Sequence, residues 1–248
     1  MPIDSMQGIQ LEKGLIYKNK SLFRFGTNEA VGSTEETIWD QGGLYSYLSS
    51  AATLKVSSSN ANDSSSGTGA RTILVEGLDS GYQEISEIVS LNGPTGALTS
   101  KQYLRVFTLT VLTAGSGGTA AGNIYIGEGT LTLGVPATVY GKISVGENKS
   151  LMAIWTVPAG HTLYLQTGTI STGTESGNQY ITTRLKIRPL GGVFQTASIV
   201  TMTSVFIPFD FGVARSIPEK TDIEARAISS GQDQQVSISF SAIYEKNS

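Results

Sequence analysis

The chain has 248 residues, no cysteine, one histidine and 29 glycines, with a formal net charge of −3 at pH 7. The missing thiols exclude disulfides and thiolate metal sites. The acidic balance argues against a protein whose main task is gripping nucleic acid, and no window nears the roughly 20 apolar residues of a membrane-crossing helix.

Charged residues make up only 15% of the chain, so polarity must come from hydroxyls and amides, which suits many strands and turns. Met1-Pro-Ile-Asp-Ser-Met-Gln has no basic region followed by an apolar run. No signal peptide is therefore expected, and a soluble product of a cytoplasm is.

Residues 1–34 read as an N-terminal arm. Ile9, Leu11, Leu15, Ile16, Leu22, Phe23 and Phe25 make it too apolar for a disordered tail, while Gly8, Gly14, Gly26 and Gly32 interrupt any long element. The arm packs either across its own domain or on a neighbouring subunit, with Phe23 and Phe25 as contact residues. Next, Ile38, Trp39, Leu44, Tyr45, Tyr47 and Leu48 cluster around Gly42-Gly43. Such aromatics anchor cores and interfaces alike, and Trp39 and Tyr45 stand as candidate interface residues.

Residues 35–147 read as an N-terminal β domain. Ser57 to Ala70 is a polar loop, expected to be solvated and held by Asx turns. Arg71–Asp79 and Glu84–Leu91 form a hairpin across Ser80-Gly-Tyr-Gln, and Tyr103–Leu112 is the longest strand candidate.

A C-terminal β-sandwich is expected over 148–248. It opens with Ser150–Gln166, read as strand, tight turn and strand. Leu151, Ala153, Trp155 and Val157 fall on one face, Pro158 and Gly160 shape the turn, and Leu163 and Leu165 resume the pattern. The strand 181–188 turns Ile181, Leu185 and Ile187 inward and lines Arg184, Lys186 and Arg188 on the other face. Asp222 and Glu224 offer a complementary acidic face, with Arg184–Glu224 as one pairing. From Val236 to Tyr244 apolar and serine residues alternate strictly. Nothing reaches helical length at a 3.6-residue period. The fold class is all-β, with antiparallel β-sandwiches of jelly-roll type and an extended N-terminal arm.

Catalytic chemistry finds little support. His161, the sole histidine, follows Pro-Ala-Gly without a Gly-x-Ser-x-Gly elbow, and reads as a turn residue. Zinc wants several His or Cys ligands, and Asn60-Ala-Asn-Asp lacks the spacing of a calcium loop. Gly67-Thr-Gly and Gly115-Ser-Gly-Gly lack the lysine of a phosphate-cradling loop. No catalytic residue, metal or cofactor is expected. The stripe Arg184, Lys186 and Arg188 is expected to pair within or between subunits rather than with nucleic acid.

The run from Val56 to Gly93 resembles virion structural proteins of marine tailed phages. Trp155-Thr-Val-Pro-Ala-Gly-His-Thr, Arg188-Pro-Leu-Gly-Gly-Val-Phe, Pro218-Glu-Lys-Thr-Asp-Ile-Glu-Ala-Arg-Ala and Ile38-Trp-Asp-Gln-Gly-Gly-Leu-Tyr continue the resemblance. It implies a non-enzymatic component of the particle, assembled in the host cytoplasm. The expected role is a head decoration or cement protein that contacts the major capsid protein or other virion proteins. A closed homo-oligomer, a trimer, goes with it, and neither nucleic acid nor membrane is an expected partner. A neck or tail accessory protein, or a short fibre binding host glycan, is the alternative.

Overall fold

In the computed structural model, residues 19–173, 179–203 and 205–247 are described. Among them the fold is all-β with antiparallel sheets, and a single 3-10 turn at Gly93–Thr95 is the one helical element. No helix is long and apolar enough to cross a membrane. Packing divides the chain into two units, Gly43–Met152 and the combination of 1–42 with 153–248.

The discontinuous unit begins with β1 (Asn19–Val31) and the short β2 (Glu36–Thr37). It resumes with β10 (Ile154–Thr156), β11 (His161–Thr172), β12 (Ile181–Arg188), β13 (Gln195–Met202), β14 (Phe206–Ile217), β15 (Asp222–Ser229) and β16 (Gln234–Lys246). One sheet has the order β1-β16-β11-β14, and the other β10-β15-β12-β13, with β2 pairing β15. The alternation seen in sequence sets the inner faces: Val236, Ile238, Phe240, Ala242 and Tyr244 of β16 are buried, as are Ile223, Ala225 and Ala227 of β15. Trp155, 1% exposed, packs edge-on against Tyr244 at 5.1 Å and anchors this core.

The continuous unit holds β3 (Lys55–Ser58), β4 (Ala70–Leu78), β5 (Glu84–Ser90), β6 (Ala97–Leu98), β7 (Arg105–Ala114), β8 (Ile124–Thr132) and β9 (Val135–Ile143). Its sheets run β6-β3-β8-β9 and β5-β4-β7. Leu54, Val56, Ile73, Val75, Tyr103, Leu109, Ile124, Ile126 and Ile143 fill its core. The expected hairpin is β4 and β5, paired from Thr72↔Ser90 to Leu78↔Glu84.

Four expectations differ from this architecture. The division into 1–34, 35–147 and 148–248 gives way to one in which residues 19–42 belong with the C-terminal sandwich, because β1 pairs along β16 from Asn19↔Glu245 to Asn28↔Val236. From residue 19 the arm is thus a strand of its own sandwich; residues 1–18 lie outside the described residues. Ser150–Gln166 is not a hairpin, since β10 joins β15 while β11 joins β16 and β14 in the other sheet. The turn at Pro158–Gly160, with Gly160 at φ 73°, carries the chain between sheets. Finally, the loop after β3 is not simply solvated. Asp63 is fully buried and accepts from Ser58 Oγ at 2.6 Å and from the backbone N–H groups of Ala70, Ala121 and Gly122 at 2.8–2.9 Å.

Two predictions follow from this packing. A Cβ on Gly26 would stand 2.2 Å from Ala153 N and 2.5 Å from Ile38 O, both backbone atoms that cannot swing away. Gly26→Ala should therefore lower stability by roughly 1–3 kcal/mol or more, read from urea unfolding. Burial, and then the 2.6 Å bond that Tyr140 donates to Glu128, hold the Tyr140 pKa above its ordinary 10. The stabilisation is fully present below pH 10 and is lost as pH rises through the folded-state pKa, because only the unfolded tyrosine ionises near 10. The stability advantage of the wild type over Tyr140→Phe should shrink above pH 10 in denaturant melts at stepped pH.

Candidate functional site

His161 opens β11 directly after the turn. Its Nδ1 lies 3.0 Å from the carbonyl of Ala159 and its ring 5.5 Å from that of Tyr244. Glu219, the carboxylate at this turn, accepts from the backbone N–H of Gly160. The imidazole is therefore placed as a turn and core-wall residue, without the orienting carboxylate and the hydroxyl that a triad needs. Among the described residues no group of three or more His, Asp or Glu side chains is placed to hold a metal.

The basic stripe of β12 is the most elaborate polar arrangement. Register places Arg184 opposite Arg226, Lys186 opposite Glu224 and Arg188 opposite Asp222 on β15. Two cations side by side need a shared anion, and Glu35 supplies it: Arg184 Nη1 donates to Oε1 at 3.2 Å, and Arg226 Nη1 donates to Oε2 at 3.1 Å. Lys186 Nζ lies 3.8 Å from the same carboxylate.

Arg226 also forks onto Glu224, with Nε donating at 2.8 Å and Nη2 at 3.2 Å, and Thr37 donates its hydroxyl to Glu224. Arg188 holds Asp222 through Nε at 2.9 Å and Nη2 at 2.6 Å, and Thr156 Oγ1 donates to the other oxygen at 2.7 Å. The Phe194 ring lies 4.5 Å from the Arg188 guanidinium carbon and 4.8 Å from that of Arg226. Burial alone would weaken the charge on Arg226, but its bonds to Glu224 and then Glu35 outweigh that, so its pKa stands above the usual arginine value.

The stripe is thus neutralised inside its own unit and is not an open cationic face. The partner of Arg184 is Glu35, not Glu224, because strand register puts Glu224 across from Lys186. Glu35 was missed in the sequence because it lies 149 residues from Arg184, and a Glu-Glu pair before a hydrophobic run gives no sign of that destination.

The remaining candidates divide by exposure. Phe23 and Phe25 are exposed on β1, at 65% and 41%. Trp39 and Tyr45 are buried, one in each unit, and Tyr45 donates its hydroxyl to the Tyr140 carbonyl at 3.1 Å. Phe23 and Phe25 sit opposite Ser241 and Ser239, on the face of the β1 sheet turned away from the core. Hydroxyls line this face and bond one another, Thr27 with Ser237 at 2.8 Å and Thr169 with Ser239 at 2.7 Å.

The flanks of the sandwich are unlike. At the β1 side, Gly26 lies against Ala153 and the Ile38 carbonyl, so the sheets meet closely. At the other side run the edge strands β13 and β14, and between the sheets there lies a cavity of about 210 Å³. Leu165, Ile170, Ile238 and Phe240 line it from one sheet and Thr183, Leu185 and Ala225 from the other, with Ser198, Val200, Phe209 and Phe211 on the edge strands, and the charged Arg184 and Asp210 also border it. Phe209 covers Gly168, where a Cβ would meet its ring at 2.1 Å. A bulge at 211–214, started by Asp210 accepting from the Gly212 N–H at 2.7 Å, lifts the middle of β14 off β11. Ile199 on β13 and Phe206 and Val213 on β14 are exposed, Val213 at 84%.

No family model and no curated protein matches the chain. Among solved structures, that of infectious bursal disease virus Gt strain aligns over 93% of this chain and 78% of that chain, at 12% identity and a TM-score of 0.21. The crystal structure of the infectious bursal disease virus VP2 subviral particle aligns over 93% and 77%, at 12% identity and a TM-score of 0.20. A likeness at these scores carries no argument about this chain.

The charge network gives a direct prediction. Arg226→Ala takes both arginine bonds from the fully buried Glu224 and leaves Glu35 with weaker partners, and breaking such a buried pair typically costs about 3–5 kcal/mol. Arg226→Ala should lose stability on that scale in urea unfolding, whereas Lys186→Ala, which removes a 3.8 Å contact with Glu35 and an exposed 3.0 Å bond to Thr196 Oγ1, should lose far less.

Proposed function

We propose that this chain is a non-enzymatic structural component of a tailed-phage particle, a head decoration or cement protein that acts through surface contacts of its sandwich and its N-terminal segment. The observation that carries this reading is strand order. Numbered along the chain, the eight main strands of the discontinuous unit lie first-eighth-third-sixth in one sheet and second-seventh-fourth-fifth in the other. We read this order as that of a jelly roll, two four-stranded sheets wound as Greek keys, an architecture that recurs in viral capsid domains as well as in lectins and cupins. The resemblance of Val56–Gly93 and the shorter segments to virion structural proteins selects among those uses.

Three features of the site agree with an assembly role. The charges of β12 and β15 are paired with one another and with Glu35, and on β1, β16 and β11 serine and threonine hydroxyls bond one another beside the exposed phenylalanines. Phe23 and Phe25 stand exposed beside the bonded hydroxyls of β1, β16 and β11. The edge strands β13 and β14 carry further exposed apolar residues, which cluster where proteins meet one another. The partners proposed are the major capsid protein or other virion proteins and further copies of the same chain, closed as a trimer. Trp39 and Tyr45 contribute to such an interface by holding the surface above them in shape.

The test is on the particle. Purified virions probed with an antibody to this chain should show it at a fixed ratio to the major capsid protein, and electron microscopy of labelled particles should place it on the head. Its absence from purified virions would overturn the reading, and label confined to the neck or tail would move it to the accessory or fibre role.

A further inference from the structure

The sandwich is sealed on one flank by its own chain and open on the other. Interiors pack at the density of organic crystals, and a void of about 210 Å³ lined mostly by Leu, Ile, Val and Phe forfeits contacts on every wall. It lies beside two edge strands, β13 and β14, each of which, among the described residues, is hydrogen-bonded to a neighbouring strand on one side only. Where the two strands are tied together, the tie is the Arg215 Nη1–H donated to the Ala197 carbonyl at 2.9 Å. An occupant suited to this flank is an extended apolar chain: its backbone meets the free edge of a strand and one of its side chains enters the cavity.

The chain carries such a segment. Eighteen residues precede Asn19, where β1 begins. They include Ile9, Leu11, Leu15, Ile16 and Tyr17, and their two acidic residues, Asp4 and Glu12, balance Lys13 and Lys18. After Pro2 every residue retains a backbone N–H for a ladder. At about 3.3 Å per residue the segment can span roughly 60 Å, well beyond the three strand spacings, about 14 Å, that separate β1 from β14 in its own sheet.

We propose that the open flank between β13 and β14 is the seat of the N-terminal segment, residues 1–18, of a second copy of this chain, which places an apolar side chain in the cavity. The choice of a second copy rests on the assembly reading above, in which identical subunits close on one another. A head-to-tail exchange of this kind joins the β1 end of one subunit to the β14 flank of the next and closes when the rotation between them completes a ring.

The absence of cysteine makes the test clean. Ser198→Cys, a near-isosteric change at the cavity, is mixed with separately purified Ile9→Cys, Leu11→Cys or Ile16→Cys chains, dissociated, reassembled and oxidised gently. The expected result is a disulfide-linked dimer from at least one mixture, formed at least tenfold faster than with Leu133→Cys, an exposed position on the other unit. Deletion of residues 1–18 should abolish the oligomer in analytical ultracentrifugation.

A disulfide formed only within a single chain carrying both cysteines would overturn the proposal in favour of an arm seated on its own sandwich. No cross-link in any mixture, or an oligomer unchanged by the deletion, would overturn it as well. Either failure leaves the particle reading intact, since that depends on finding the chain in virions; absence from virions would leave the cross-link standing.

Discussion

The pairing of β1 with β16 is the constraint on which the rest of the structure depends. It joins residues more than 200 positions apart in an unbroken antiparallel ladder from Asn19↔Glu245 to Asn28↔Val236. Closing so long a loop costs little more entropy than closing a shorter one, because the cost grows only as the logarithm of length. Once β1 is committed to β16, residues 43–152 can only be an excursion that leaves after β2 and returns before β10. The return is held by a backbone bond from Ala153 N to the Ile38 carbonyl, and Gly26 allows the approach because any side chain there would strike both groups. One glycine and one ladder therefore seal the near flank.

The same ladder explains why Glu35 can serve three cations. It follows β1 by four residues and immediately precedes β2, whose Thr37 pairs with Arg226 of β15. The sheet that carries Arg184, Lys186 and Arg226 is thus reached by a carboxylate from the strand pair at the opposite end of the sequence. Burying so many charges is not in itself a route to stability, since desolvation offsets much of the attraction. Its effect is specificity. A register slip of one residue along β12–β15 would turn Asp222 away from Arg188 and Arg226 away from the Glu35 it shares with Arg184, and would carry Asp222, Glu224 and Arg226 toward the apolar interior.

Much of the strand content was legible in the sequence, because alternation is a local signal. Val236–Tyr244 and Asp222–Ala227 are each written within a dozen residues, and the β4–β5 hairpin in one continuous stretch from Ala70 to Ser90. What was not legible is where strands go. Pro158 and Gly160 specify a turn but not whether the next strand pairs with the last or crosses to another sheet, so the stretch from Ser150 reads as a hairpin and is a crossover. Trp39 and Tyr45 illustrate a second limit: large amphipathic rings serve interiors and interfaces equally well, and only the fold decides. Asp63 illustrates a third, since its four donors come from segments up to 59 residues away and leave no spacing to recognise.

These limits bear on how the protein meets its partners. Of the 17 Lys and Arg and 20 Asp and Glu residues, seven, Glu35, Arg184, Lys186, Arg188, Asp222, Glu224 and Arg226, are turned toward one another and add little to the long-range field. For the assembly role proposed above, the short-range terms on offer are backbone hydrogen bonds at the β13 and β14 edges and the fit of exposed apolar groups such as Phe206, Val213, Phe23 and Phe25. Such terms depend on shape and act only on contact, and they are weakly affected by salt.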